Sequence, residues 1–196
     1  MNRTATIERK TRETDIRLKL DLDGRGASSI DTGIPFMDHM LSLTAAHGFM
    51  DIEVSAQGDI DVDHHHTVED LGICLGMAIH NALDAKAGIR RYGTALVPMD
   101  EALARVVLDI SNRPFFGYRV HLTHSRAGNF DVNLLREFFR GLITHAGFTL
   151  HIDLLQGEEA HHIAESVFKA FGRAMDQATT PEDRLGDLPL STKGSL

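Results

Sequence analysis

His65-His66-Thr67-Val68-Glu69 and His161-His162-Ile163-Ala164-Glu165 are one chemical word written twice, 96 residues apart. Residues four apart share a face of an α-helix, so His65 with Glu69, and His161 with Glu165, can each clamp a cation between an imidazole and a carboxylate. The second histidine of each word cannot join its own clamp. One step along a helix turns a side chain by roughly 100°, so His66 and His162 look toward a different metal, a different subunit or solvent. Two copies of the word can therefore cross-feed two ions, each ion taking His and Glu from one word and the adjacent histidine from the other. A single HHxxE is more often a surface or hydrogen-bonded pair. Repetition selects the metal reading. The same offset relates Gly76-Met77-Ala78 to Gly172-Arg173-Ala174 and Ala82 to Ala178, as expected of structural duplicates.

A further ligand for each ion is expected from the preceding helix. His39 lies 26 residues before His65, and Glu137 lies 24 before His161. A capped helix histidine and a solvated glutamate are the competing readings of these two positions. Mixed imidazole and carboxylate sets suit octahedral Mn²⁺, with Fe²⁺, Zn²⁺ or Ni²⁺ allowed by ligand type. Four protein ligands leave two positions open, which marks a catalytic site rather than a structural one.

These side chains need a scaffold, and the hydropathy pattern supplies one. Ile16, Leu18, Leu20 and Leu22 alternate with Arg17, Lys19, Asp21 and Asp23, a half-buried strand ending at Gly24, with Thr4 to Lys10 as its hairpin partner. Met37 to His47 reads as a helix, Phe49 to Ala56 as a strand, and Thr67 to Lys86 as a helix closed by Gly88. The second half replays the order: Leu103 to Ile110 and Phe115 to Leu122 as strands, Val132 to Ala146 as a helix, Phe148 to Leu155 as a strand, Ala160 to Ala178 as a helix. Gly48-Phe49 and Gly147-Phe148 mark the same helix-to-strand junction. The expected architecture is α+β, two tandem ββαβα units over residues 1–92 and 93–178, with sheets backed by helices. Residues 179–196 lack apolar periodicity and read as a loop or lid.

Composition bounds the rest. At 196 residues and 42% apolar, the chain can bury a real core. A net charge of −8 argues against a nucleic-acid binder. One cysteine, Cys74, permits no internal disulfide and suits a reducing cytosol. No apolar run reaches the roughly 18 residues that span a membrane, and the polar N-terminus has no signal-like segment, so a cytoplasmic protein is expected.

Four segments carry a family resemblance: Asp31-Thr32-Gly33-Ile34-Pro35-Phe36-Met37-Asp38-His39-Met40-Leu41, Asp63-His64-His65-His66-Thr67-Val68-Glu69-Asp70, His161-His162-Ile163-Ala164-Glu165-Ser166-Val167-Phe168-Lys169 and Ser191-Thr192-Lys193-Gly194. Together they resemble imidazoleglycerol-phosphate dehydratase along essentially the whole chain. The resemblance implies a hydro-lyase of histidine biosynthesis with two Mn²⁺ per active site, and a duplicated fold of the ribosomal protein S5 domain 2-like type. It also implies a homo-oligomer of 24 subunits with octahedral symmetry, built from trimers, whose active sites form between subunits. The implied substrate is imidazole glycerol phosphate, whose ring can occupy a vacant metal position.

The same resemblance assigns roles that spacing alone does not. Glu13 matches the family's acid/base position, although an exposed hairpin carboxylate is the plainer reading of that residue. Arg91, Arg113, Lys169, Ser191 and Lys193 are nominated for the phosphate, with Ser191 and Lys193 folding the tail over substrate. His47 and Lys169, near the ligand helices, are expected to touch substrate with His39 and His65; Glu69, Glu165 and Lys169 join Glu13 as catalytic candidates. Asp100 and Glu101, after a strand read from Thr94 to Pro98, are weaker candidates for proton traffic. The position of Glu137 is often histidine in the family, and Glu159 replaces a residue that is usually Asn or Asp. Two other classes fit the ligands: a dinuclear phosphoesterase, and a non-enzymatic metal-binding shell.

Overall fold

Period-two patterning and helical periodicity produce two copies of one layered unit in the computed structural model, which describes residues 3–196. In the first copy, β1 (Thr4–Lys10) and β2 (Thr14–Asp21) form a hairpin, followed by β3 (Ser28–Asp31), α1 (Pro35–Gly48), β4 (Asp51–Gly58) and α2 (His65–Leu83). In the second, β5 (Tyr92–Met99) and β6 (Ala102–Asp109) precede β7 (Phe115–Arg119), α3 (Leu134–Ala146), β10 (Thr149–Gln156) and α4 (Ala160–Thr179). A small hairpin of β8 (Arg126–Ala127) and β9 (Phe130–Asp131) is inserted before α3. The sheets have matching orders, β1-β2-β4-β3 and β5-β6-β10-β7. In each, the last strand pairs parallel with its neighbour and the other pairs are antiparallel.

The α+β duplication expected from sequence is present, and each ββαβα half gains a third strand. In the second half the leading hairpin is β5–β6, so the Phe115 segment is that third strand rather than the second. Strand β5, read from sequence as Thr94 to Pro98, runs over Tyr92–Met99 at a sheet edge, where Tyr92 and Leu96 face outward. Strand β3 has mostly exposed side chains and is held by backbone pairing to β4, which leaves no hydrophobic signature to read.

The halves interlock through their helices. α2 crosses α3 and α1 crosses α4, each contact joining one half to the other. Both crossings are close because glycines line them: a Cβ on Gly76 would sit 2.3 Å from the Leu142 carbonyl oxygen, and one on Gly172 2.8 Å from that of Thr44. Gly76 and Gly172 are the pair related by the 96-residue offset. At the end of α1, Gly48 stays helical and packs against Gly172, while Phe49 takes the left-handed turn with φ 52°. In α3 the glycine itself, Gly147, takes that turn with φ 76°. The shared Gly-Phe sequence thus serves packing in one half and chain reversal in the other.

Buried aliphatic faces of both sheets and a cluster of Phe138, Phe139, Phe168 and Phe171 fill the space around the helices. After Thr179 the chain runs back as turns, tied to the body by a bridge between Ile89 and Pro181 and by Gly88 N–H donating to the Leu188 carbonyl at 3.0 Å. Among the described residues no helix is long and apolar enough to cross a membrane.

Candidate active site

The first turn of α4 and the α1 segment around His39 converge on one carboxylate. Glu165 is 8% exposed, and its Oε1 lies 2.9 Å from His39 Nε2 and 3.0 Å from His161 Nε2. Its Oε2 accepts from Lys169 Nζ at 2.6 Å, one helical turn further on. Donor atoms of His39, His161 and Glu165 all lie within 4.8 Å of one another, a spacing that can hold a metal ion. Burial pushes the Glu165 carboxyl up, but hydrogen bonds from Lys169, His39 and His161 outweigh it and hold the pKa at about 2. Phe36 packs edge-on against His161 and stacks on Phe130, which in turn stacks on His64. These rings wall one side of the clamp.

His47 ends α1. Burial, with Lys169 and Arg173 nearby, pushes its pKa down, so at neutral pH the ring is uncharged and can accept a proton.

The equivalent clamp on α2 is looser. His65 Nε2 is 3.7 Å from Glu69 Oε2, too long for a hydrogen bond. Ile73 stands 96 residues before Lys169, so Glu69 has no cation on its own helix. Arg140 of α3 approaches Glu69 at 4.0 Å and pairs with Glu137. Glu137 therefore lies beside the α2 clamp, as His39 lies beside that of α4. Its Oε2 is buried and gains an ion pair with Arg140 but no well-aligned hydrogen bond.

His66 and His162 leave these clusters, as their one-residue rotation requires. His66 Nδ1 is 2.9 Å from Asp59 Oδ2, and His162 Nδ1 is 2.8 Å from Glu101 Oε2. In each case the carboxylate hydrogen bond raises the histidine pKa. Glu101 is held at about 2, first by the Glu159 backbone N–H and then by His162. Glu159 caps α4 by accepting from the His162 N–H at 3.0 Å. Glu13 is exposed in the β1–β2 turn, its N–H donating to Thr11 Oγ1 and its carbonyl accepting from Asp59 N–H at 3.0 Å.

Four of the five phosphate nominees meet at another corner. Arg91, Arg113, Ser191 and Lys193 line a cavity of about 850 Å³ between the start of β5 and the tail. Arg91 has φ 71° and is committed: its guanidinium donates to Asp109 at 2.6 and 3.1 Å and to the Leu190 carbonyl at 2.6 Å. It pins the tail. Arg113 and Lys193 remain largely open to solvent. Lys169, the fifth nominee, stands with the α4 clamp, its Nζ 3.1 Å from Met99 Sδ. Arg91 and Met99 flank opposite ends of β5, so the tail corner and the α4 clamp are roughly 25 Å apart at about 3.3 Å per strand residue.

Sequence reading missed Asp59 and Arg140. An acid in the loop before the histidine word, and a base three residues after a candidate ligand in a helix, are the signals that could have found them.

A duplicated α+β scaffold carries a histidine–carboxylate cluster on each half, and the one on α4 has a spacing that can hold a metal ion. Residues 32–175 match the family model described as imidazoleglycerol-phosphate dehydratase. Proteins of that name from Bordetella avium and Thiobacillus denitrificans are 58% and 57% identical over 194 residues, spanning 99% of this chain and 100% of each relative. The crystal structure of the Staphylococcus aureus enzyme matches with a TM-score of 0.83 at 38% identity, covering 91% of this chain and 99% of that one. That of the Pyrococcus furiosus enzyme, in complex with (S)-C348, also gives 0.83 and 38%, covering 97% and 100%. The chain belongs to the imidazoleglycerol-phosphate dehydratase family and is a hydro-lyase.

Proposed function

We propose that this chain converts D-erythro-imidazole glycerol phosphate to imidazole acetol phosphate and water in histidine biosynthesis, using two Mn²⁺ per active site. The observation that carries the metal is the convergence of two imidazole nitrogens on a buried carboxylate at about 3 Å, as read from His39, His161 and Glu165. The donor set fits manganese: neutral imidazole and carboxylate are its ordinary ligands, and no thiolate stands among them to favour a softer ion. His39, His161 and Glu165 would hold one ion, and His65, Glu69 and Glu137 are the matching set for the other, with His66 and His162 completing the shells. Bound there, manganese supplies Lewis acidity toward the substrate imidazole and stabilises negative charge that develops on the ring.

The chain's own groups do the rest. Lys169 holds Glu165 ionised, so the carboxylate is ready for a cation at any physiological pH. His47, neutral and beside the clamp, can orient substrate by a hydrogen bond. Glu13, exposed in the β1–β2 turn, is assigned the proton transfer at the glycerol carbons, which requires reach rather than burial. Arg113, Ser191 and Lys193 grip the phosphate, and Arg91 fixes the tail that carries two of them.

A substrate of this size cannot bridge roughly 25 Å of strand. The phosphate corner of one chain must therefore serve the metal clamp of another, which supports a homo-oligomer with intersubunit sites, taken as a 24-subunit octahedral assembly of trimers in the cytoplasm. Purified protein with manganese and imidazole glycerol phosphate should yield a ketone with phosphate retained; release of free phosphate would instead establish the dinuclear phosphoesterase. Lys193→Ala should raise KM about tenfold or more with bound metal unchanged by elemental analysis. Loss of metal with KM unaltered would remove Lys193 from the phosphate site.

A further inference from the structure

We propose that Asp59 and Glu101 are positioning residues, each fixing the ring orientation and tautomer of the second histidine of a metal word so that Nε2 is the metal-facing nitrogen. The inference rests on the manganese reading above and goes beyond it by naming the outer carboxylates.

The same hydrogen bond is made twice, on the same ring atom. His66 Nδ1 meets Asp59 Oδ2 at 2.9 Å and His162 Nδ1 meets Glu101 Oε2 at 2.8 Å. A carboxylate accepts only, so each ring must carry its proton on Nδ1, which leaves the Nε2 lone pair free for a cation. The two carboxylates are not duplicates of each other. Asp59 follows β4, whereas Glu101 sits in the β5–β6 turn, whose counterpart in the first half is the β1–β2 turn bearing Glu13. One orienting contact has thus been reached from two different loops, which a chance surface pairing would not repeat.

The Glu101 carboxylate is itself held, whereas Asp59 is fixed at its backbone and its Oδ1 has no hydrogen-bond partner. Glu101 Oε1 accepts the backbone N–H of Glu158 at 3.3 Å and of Glu159 at 3.0 Å, leaving Oε2 for His162. Asp59 is anchored through its own N–H to the Glu13 carbonyl. Around His66 the other facing acids are Glu13 and Asp63, and around His162 they are Asp100 and Glu159. Asp100 comes no nearer to His162 Nε2 than 3.8 Å, so it leaves that nitrogen unbonded. A carboxylate behind a ligating imidazole fixes its direction and raises its basicity, and its removal typically weakens metal binding about 10–100-fold.

Mn²⁺ titration followed by electron paramagnetic resonance of the free ion tests this on the whole protein. Asp59→Asn and Glu101→Gln should weaken Mn²⁺ binding about 10–100-fold, and Asp59→Ala and Glu101→Ala at least as much. The Glu101 variants should also lower the melting temperature of the metal-free protein, because Glu101 accepts the Glu158 and Glu159 N–H groups, so the affinity is the deciding readout. A merely structural role would lower that melting temperature and spare the affinity, which would overturn the proposal. His66→Ala and His162→Ala separate the two readings. If they lose affinity while the four carboxylate variants bind as wild type, the orienting role is wrong and the metal site stands; if they too bind as wild type, the metal assignment of those histidines fails.

Discussion

The α4 clamp and the α2 clamp carry the same histidine–glutamate pair at the same spacing, yet the α4 pair is drawn tight and the α2 pair is not. On α4, Glu165 is gripped by Lys169 from its own helix and by His39 from α1. On α2, the lysine position is Ile73, the partner from the neighbouring helix is Glu137 instead of histidine, and Arg140 stands between two carboxylates. Duplication copied the scaffold and the histidine–glutamate pairs, while the charges that balance them diverged. One cluster is neutralised by Lys169 and hydrogen bonds from two imidazoles; the other is an acid-rich pair spread around a single exposed arginine. The α2 cluster is therefore the less constrained of the two.

The largest expected effects strike the helix crossings beneath each clamp. A Cβ at Gly72 or Gly76 would lie 2.1 or 2.3 Å from a backbone oxygen of α3, against 2.8 Å for Gly172 and α1. Backbone cannot step aside as a side-chain tip can, so overpacking here costs at least about 1–3 kcal/mol. Gly76→Ala should shift the urea midpoint further than Gly172→Ala. Equal shifts would show that the two crossings adapt alike and that the tighter one is not the α2–α3 pair.

Glutamate removal comes next. Glu165→Gln and Glu69→Gln should each lower bound manganese per subunit, measured by elemental analysis. They should differ without metal: Glu165→Gln removes a buried charge that accepts from Lys169 and two histidines, at about 1–3 kcal/mol, whereas Glu69→Gln at its looser site should change metal-free stability by less than about 1 kcal/mol. A larger loss for Glu69→Gln would reverse the comparison.

Sequence made the histidine–glutamate pairs legible, because His and Glu at helical spacing announce themselves and their repetition points to a duplication. The buried faces of β2, α2 and α4 were equally readable from period. Strands β3 and β7 were not recognised as a matching third strand, because parallel pairing to β4 and β10 is a backbone property of distant segments. The exchange of helix partners between halves was also hidden: Gly76 and Gly172 were visible as a repeat, but nothing local says that one faces Leu142 and the other Thr44. The same holds for charge balance. Arg140 reaches Glu69 only because α3 crosses α2.

Acid titration sharpens the comparison in a single measurement. Glu165 has its pKa lowered from 4.5 to about 2. Because the folded value lies below the unfolded one, the carboxylate contributes stability above pH 4.5 that is lost as pH falls toward 2. Metal-free protein should therefore lose stability across that window, and Glu165→Gln should flatten the slope there. An unaltered slope in that variant would mean that Lys169 and the two histidines do not hold the ionised form.

The smallest effect tests whether Arg140 restrains the α2 clamp. Its guanidinium is 59% exposed, so the ion pair with Glu137 is worth no more than about 1 kcal/mol, and Arg140→Ala should leave the denaturation midpoint nearly unmoved. Removing a competing cation from between Glu69 and Glu137 should, however, strengthen manganese binding at that clamp, by a few-fold at low ionic strength, and the gain should shrink as salt screens the lost repulsion. Lys169→Ala makes the contrasting case, since Lys169 sits over the ionised Glu165 of a clamp already assembled by two histidines. If Arg140→Ala weakens manganese binding, the arginine organises the α2 carboxylates rather than standing in for the ion, and the two clamps are more alike than their distances indicate.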